Sequence, residues 1–364
     1  MTSLHGRLVA VGAALVLLLA VAVGYVVHAA AGGAQPAGHG SGGAGPATAA
    51  GDVGAVTSTG PFYAFKSSRL DRDFGRVAVA PASDPTRRVF TRDLRCTRLA
   101  MTGGRGLCLQ PAPGVTVAIQ ALVLDGNLAV THRLTLPGYP SRAKVAPDGR
   151  LAAVTTFVSG DSYASLGFST RTSIIDASTG AVLFDLEKLS VTKDGRPFHA
   201  SNFNFWGVTF TPDSRHLYAT LGSGGRTYLI RADIAARTAT VVTSGVECPS
   251  LSPDGKLVAF KKKVSDDPVT WRLWILDLAT GREHATTETR PIDDQASWLN
   301  DRTVMYGLAT DDSLSDGGGK AANPSAVDAG ASVDTAMWAV AADGTGTPRL
   351  VLDHAWSAQL ATTS

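Results

Sequence analysis

Three stretches of this chain repeat one short pattern, and that repeat limits the fold more than any other feature. V-A-P-D-G-R-L-A-A-V begins at Val145, F-T-P-D-S-R-H-L-Y-A at Phe210 and L-S-P-D-G-K-L-V-A-F at Leu251. A degenerate copy, W-L-N-D-R-T-V-M-Y, begins at Trp298. Each places aspartate in a tight turn followed by an apolar strand; where they occur, proline fixes the backbone going into the turn and glycine supplies positive φ, while aspartate can bond its own backbone. Further turns come after these strands: D-A-S-T-G at Asp176, D-L-A-T-G at Asp277 and A-D-G-T-G at Ala342. With Asp148, Asp213, Asp254 and Asp301 taken as the turn residues, the copies stand roughly 40–65 residues apart, as four-stranded units with inserted loops do. Short β-rich runs such as T-Y-L-I-R-A and R-L-W-I-L-D continue through the chain after Gly60, with no long amphipathic helix among them. The domain is expected to be all-β.

The stretch S-P-D-G-K-L-V-A-F followed by L-W-I-L-D-L-A-T-G-R resembles the WD40-like repeat of the TolB family. The resemblance covers about residues 60–361 and implies a six-bladed β-propeller. Five blades are placed at Cys96 to Pro137, Ser141 to Leu189, Phe205 to Thr243, Glu247 to Glu288 and Asp294 to Asp353. The sixth joins Phe62 to Arg92 with the terminal strand W-S-A-Q-L-A at Trp356. That closure unites the chain ends in one sheet and removes exposed strand edges. TolB-type proteins carry an α/β domain before the propeller, and here a tether takes its place. The TolB role therefore does not transfer directly. The whole chain looks more like the membrane-anchored TolB-like propellers of high-GC Gram-positive bacteria.

Leu8 to Val27 is an apolar run interrupted only by Gly12 and Gly24. At ~1.5 Å per residue it reaches ~30 Å, the thickness of a bilayer's hydrocarbon. Arg7 precedes it and no charge follows until Asp52, which puts the N-terminus in the cytoplasm and the rest outside. Residues 1–28 are read as an uncleaved signal anchor; cleavage near Ala29-Ala30-Ala31, giving a secreted protein, is the alternative. Residues 29–60 are nearly all Gly, Ala, Pro, Ser and Thr, too poor in bulk to fold, and read as a flexible tether. Residues 61–364 are the propeller. Cys96 and Cys108 flank the turn signal Gly103-Gly104, so two strands folded on it would face them within disulfide reach. Cys248 is left as a buried core thiol.

A net charge of +2 over 364 residues, with 18% charged side chains, gives no basis for a nucleic-acid partner. There is no G-x-S-x-G, H-E-x-x-H, C-x-x-C or G-x-x-x-x-G-K-[ST] motif, and the eight histidines are scattered. No cofactor or metal is expected. Asp311, Asp312 and Asp316 in the insertion from Thr310 to Asp334 do not match an EF-hand spacing and read as surface loop.

Propellers bind at the channel mouth and across the loops of one face. Counting back from the turn aspartates puts Ser141, Trp206, Glu247 and Asp294 at one rim position and Arg142, Gly207, Cys248 and Gln295 at the next. Two insertions add side chains: Asp161, Tyr163, Phe168 and Arg171 in the first, Phe198, His199, Phe203, Phe205 and Trp206 in the second. Aromatic residues, Asn and Arg in such loops favour an interface. The expected binding set is Arg142, Tyr163, Phe168, Arg171, Phe203, Phe205, Trp206, Glu247 and Asp294. The expectation is a monomeric, non-enzymatic module for an envelope protein or a cell-wall glycan, a structural subunit of an envelope complex being a variant of it. The alternative is a lyase or hydrolase using Glu247 and Asp294 on a small polar substrate.

Overall fold

The computed structural model describes residues 51–102, 104–114, 117–158, 169–310 and 333–362. The apolar run 8–27, the tether as far as residue 50, and Asp161, Tyr163, Phe168, Asp311, Asp312 and Asp316 lie outside the described residues. Among the described residues no helix is long and apolar enough to cross a membrane.

A short helix, α1 (Val53–Thr57), opens the domain with Asp52 as its N-cap. Val56 and Thr57 are buried, and the Thr57 hydroxyl donates to Asn127 Oδ1 at 3.1 Å. The sequence reads this segment as the end of the tether; instead it packs against the domain.

The described strands form six sheets. β1 (Phe62–Ser67), β2 (Arg76–Pro81) and β3 (Val89–Arg95) start the first blade. Blade two is β4 (Arg98–Thr102), β5 (Arg105–Pro111), β6 (Ala118–Asp125) and β7 (Val130–Pro137). Blade three is β8 (Tyr139–Val145), β9 (Leu151–Val158), β10 (Ser169–Asp176) and β11 (Val182–Asp185). A hairpin, β12 (Ser190–Lys193) and β13 (Arg196–Pro197), precedes blade four, which runs β14 (Asn204–Phe210), β15 (His216–Ser223), β16 (Arg226–Asp233) and β17 (Thr238–Ser244). Blade five is β18 (Glu247–Leu251), β19 (Leu257–Asp266), β20 (Val269–Asp277) and β21 (Glu283–Ala285). Blade six is β22 (Ser297–Asn300), β23 (Thr303–Ala309), β24 (Thr335–Ala341) and β25 (Arg349–Leu352). The last strand, β26 (Ala355–Ala361), becomes the innermost strand of blade one, with Phe62 opposite Ala361 and Ser67 opposite Ala355. The chain is an all-β six-bladed propeller closed by its C-terminal strand, as the repeat implies.

The innermost strands β26, β4, β8, β14, β18 and β22 touch one another in a closed sequence around the axis. The core is divided among the blade interfaces. Phe62, Val77 and Val79 of blade one meet Leu99, Cys108 and Leu122 of blade two, and Met305 and Met337 of blade six meet Phe65 and Ala78 of blade one. Such sheet-on-sheet packing explains why each blade has an apolar residue on both faces of its middle strands.

The repeated turns behave as their residues require. Gly149 and Gly255 have φ of 70° and 75°, and Ser214, at the same place in the middle copy, has φ of 54°. Asp148, Asp213 and Asp254 each accept the N–H two residues ahead, from Arg150, Arg215 and Lys256. In the fourth copy that acceptor is Asn300, which takes the Arg302 N–H at 2.9 Å. The turn residue is thus Asn300 and not Asp301, whose Oδ1 reaches across to the Asp254 N–H of blade five at 2.8 Å. The rim positions in blade six move back by one: Asp293 joins Ser141, Trp206 and Glu247, and Asp294 joins Arg142, Gly207 and Cys248.

Cys96 and Cys108 form a disulfide, with Cα atoms 5.4 Å apart. They are not an opposed pair in one hairpin. Cys108 faces Leu99 in the ladder, and Cys96 lies in the crossover between β3 and β4. The bridge therefore ties the link between blades one and two to the second strand of blade two.

Candidate functional site

Antiparallel connectivity sorts the connections onto two faces. Where inner strands end lie the tight turns at Asp148, Asp213, Asp254 and Asn300, and Pro61 leads the chain into β1 on this same face. Where inner strands begin lie the longer connections. Residues 68–75 follow β1, residues 198–203 precede β14 and residues 286–296 precede β22. The β9 and β23 strands also end, and β10 and β24 begin, at this second face. The prolonged β19–β20 hairpin projects there too.

On that face the channel mouth is crossed by charge. Arg98 of blade two places Nη1 3.0 and 3.1 Å from the two oxygens of Asp294, beside blade six. Arg142 of blade three stands with Nε 3.7 Å from Asp294 Oδ1 and donates from Nη2 to the Asp293 carbonyl at 3.2 Å. Lys261 pairs with Asp293, and all five side chains are buried. Burial works against ionisation of Asp294, but Arg98 and Arg142 hold its carboxyl below the usual carboxylate range. Burial lowers Arg98 to about 10, and burial together with Arg98 lowers Lys66 to about 8. Gln295 donates to the carbonyls of Val208 and Pro249, joining blades four and five. Glu247 accepts the Trp271 indole N–H at 3.0 Å. The space left beside Arg98, Arg142, Asp294 and Gln295 is about 30 Å³, room for one water. The geometry makes this a brace across the axis. Glu247 and Asp294, paired in the sequence reading, are held by different partners.

A larger space opens off the axis, between blades three and four. It has a volume of about 370 Å³ and is walled by Thr170, Arg171, Asp185, Glu187, Phe203 and Asn204 among others. Asn204 Oδ1 accepts the Thr170 N–H at 2.8 Å, which pins the start of β10 to the start of β14. Glu187 sits on the 3₁₀ turn Leu186–Lys188, and both its oxygens lie 3.1 Å from the Thr172 N–H. Burial raises Glu187 to about 8, with the Thr172 N–H acting against the rise. Asp185 accepts the Ser173 hydroxyl at 2.7 Å.

Of the expected binding residues, Arg171 and Phe203 meet in this pocket, whereas Arg142, Glu247 and Asp294 belong to the channel mouth. Phe205 is a correction. Its side chain is fully buried between blades three and four and belongs to the core. Phe198 and Phe203, 5.0 Å apart, pack against the same core, and Trp206 lies over Gly222. Much of the aromatic insertion is packing material. Asn204 lies inside the second insertion; sequence reasoning missed Asp185 and Glu187, whose only signal is position between the two insertions. It also missed a set of exposed apolar side chains on the loop face: Leu70, Val117, Tyr139, Val264 and Val269, each at least half exposed.

No family model matches the chain, and no curated protein matches it. Solved structures do. TolB from Acinetobacter baumannii superimposes with a TM-score of 0.55 at 17% identity, over 86% of this chain and 67% of that one. This chain is structurally similar to TolB-like propellers. A putative TolB from Agrobacterium tumefaciens aligns over 81% of this chain and 88% of its own, at 12% identity and a TM-score of 0.47. An oligogalacturonate lyase in complex with manganese aligns over 65% of this chain and 72% of its own, at 11% identity and a TM-score of 0.44. At these identities the likeness to TolB speaks for the fold.

Proposed function

We propose that this chain is a non-enzymatic, membrane-anchored propeller of the kind found in high-GC Gram-positive bacteria, monomeric and placed outside the cytoplasm. Its loop face binds an envelope protein or a cell-wall glycan. The observation that carries the reading is the asymmetry of the two faces. Among the nine exposed large apolar side chains of the described residues, five lie on the loop face, so exposure concentrates where the connections are long. They span blades one, two, three and five, the spread that a wide contact needs. The disulfide supports an oxidising compartment. Asp294 is committed to the buried Arg98 and Arg142, which supports binding over acid–base chemistry at the channel mouth.

The test is site-specific photo-crosslinking of the full chain in its own envelope, with the crosslinker at Tyr139, Ser201 or Val269 on one face and at Asp148 or Asp343 on the other. Crosslinks to envelope components are expected from the first set. Crosslinks only from the tight-turn face would refute the assignment.

A further inference from the structure

The geometry points to the pocket between blades three and four as a binding site for a neutral sugar unit of a glycan. This rests on the loop face being the binding face, and it selects one of the two partner classes.

Size is the first ground. The pocket encloses about 370 Å³ against about 30 Å³ at the channel mouth, so a ligand larger than water has room only in the first. The second ground is the wall. Arg171 and Lys188 supply donors, Asp185 supplies acceptors and Ser201 a hydroxyl, with Phe203 as the aromatic ring among the described residues of the wall. A pyranose presents the same mixture: hydroxyls that both donate and accept around its rim, and a C–H face that packs on an aromatic ring. The third ground is charge. Lys188 Nζ lies 3.7 Å from Asp185 Oδ2 and burial keeps Glu187 protonated, so the wall carries no concentrated charge of one sign as a site for a multiply charged ligand would. Glu187, raised to about 8 and therefore protonated at neutral pH, adds a donor to the floor.

The experiment uses the detergent-solubilised full chain. Glucose, N-acetylglucosamine and their β-1,4 disaccharides are the probes, with glucuronic acid and glucosamine as charged comparators. Saturation-transfer NMR and titration calorimetry read the binding. Neutral sugars are expected to bind, at least tenfold more weakly in Asp185→Asn and in Phe203→Ala, and unchanged in Glu247→Gln at the channel mouth. Phe203 also packs on the core, so Asp185→Asn is the decisive variant, with its fold checked by circular dichroism. Absence of binding by every neutral sugar, retained affinity in Asp185→Asn, loss of binding in Glu247→Gln, or preference for a charged comparator would each overturn the sugar assignment. If crosslinks from Tyr139 and Val269 persist in that case, the loop-face reading survives alone; if they too are missing, both fail.

Discussion

Glu187 is subject to two opposed influences, burial and a backbone N–H donor, and the outcome is a carboxyl raised to about 8 from an ordinary 4.5. Between those values the folded chain holds a proton that the unfolded chain has released. Stability therefore falls as pH rises through that window, and the full cost is present above pH 8. Glu187→Gln removes the proton exchange and with it the loss. Urea melts of both proteins at pH 5 and pH 8.5 should show the variant gaining on the order of 2 kcal/mol on the wild type between them, after allowance for partial exposure of the group. Parallel melts at the two pH values would contradict the assignment. Asp294 has the opposite sign. Its pKa lies below the ordinary 3.8, so its contribution is present above that value and is lost as pH falls through the folded pKa. Asp294→Asn leaves Arg98 and Arg142 buried without their shared carboxylate, and about 3–5 kcal/mol of stability should disappear at pH 7. Chemical denaturation measures it; a loss below about 1 kcal/mol would mean the brace is not holding the blades. Asp294 was visible in the sequence as a rim residue because the repeat set its phase. Its role was not, because Arg98 precedes the repeated turns and reaches Asp294 only across the axis. The phase itself slipped by one residue where Asn300 and Asp301 stand side by side. Either can serve an Asx turn, and the choice shows only in which oxygen meets the Arg302 N–H.

Among the elements, β26 does most to close the molecule. Trp356 is buried to 2% exposure, its ring lies against Gly307 of β23, and a Cβ added at Gly307 would come within 2.3 Å of it. The Ser357 hydroxyl bonds the N–H and carbonyl of Leu99, so one strand contacts blades six and two while pairing in blade one. Trp356→Ala opens a cavity at this joint and should cost about 3–5 kcal/mol. Thermal or urea unfolding reads the change, and a cost under about 1 kcal/mol would show that closure does not depend on this ring. The closing strand was legible because a propeller leaves one blade short of a strand and the chain end offers an apolar alternation. The β12–β13 hairpin was hidden for a related reason. Its turn signal, Asp194-Gly195, is plain, but β12 pairs in parallel with β17, more than forty residues later, and local pattern cannot reveal a parallel partner. The aromatic run after it was misjudged on the same account. Once the hairpin brings the chain over blade four, Phe198, Phe203 and Phe205 fall onto a core that the linear sequence does not display.

For the whole molecule, the separation between a tight-turn face and a loop face follows from one fact, that every inner strand runs in the same direction. The repeated Asp turns then collect at one end, and the long connections fall at the other, some where the second strand of a blade turns into its third and others before the next inner strand. Val264 and Val269 sit at the far end of the β19–β20 hairpin, each about half exposed, away from any core cluster. Water already surrounds much of both side chains, so charge there should alter stability by no more than about 0.5 kcal/mol. A partner docked over the same side chains would have to bury that charge, and its affinity would fall steeply. The double variant Val264→Asp, Val269→Asp should accordingly melt with the wild type yet lose the envelope crosslinks formed from Tyr139 and Ser201. A variant that melts early would mark the hairpin as structural. One that keeps both its stability and its crosslinks would move the contact to the side of blades two to four, toward Val117 and the pocket between blades three and four.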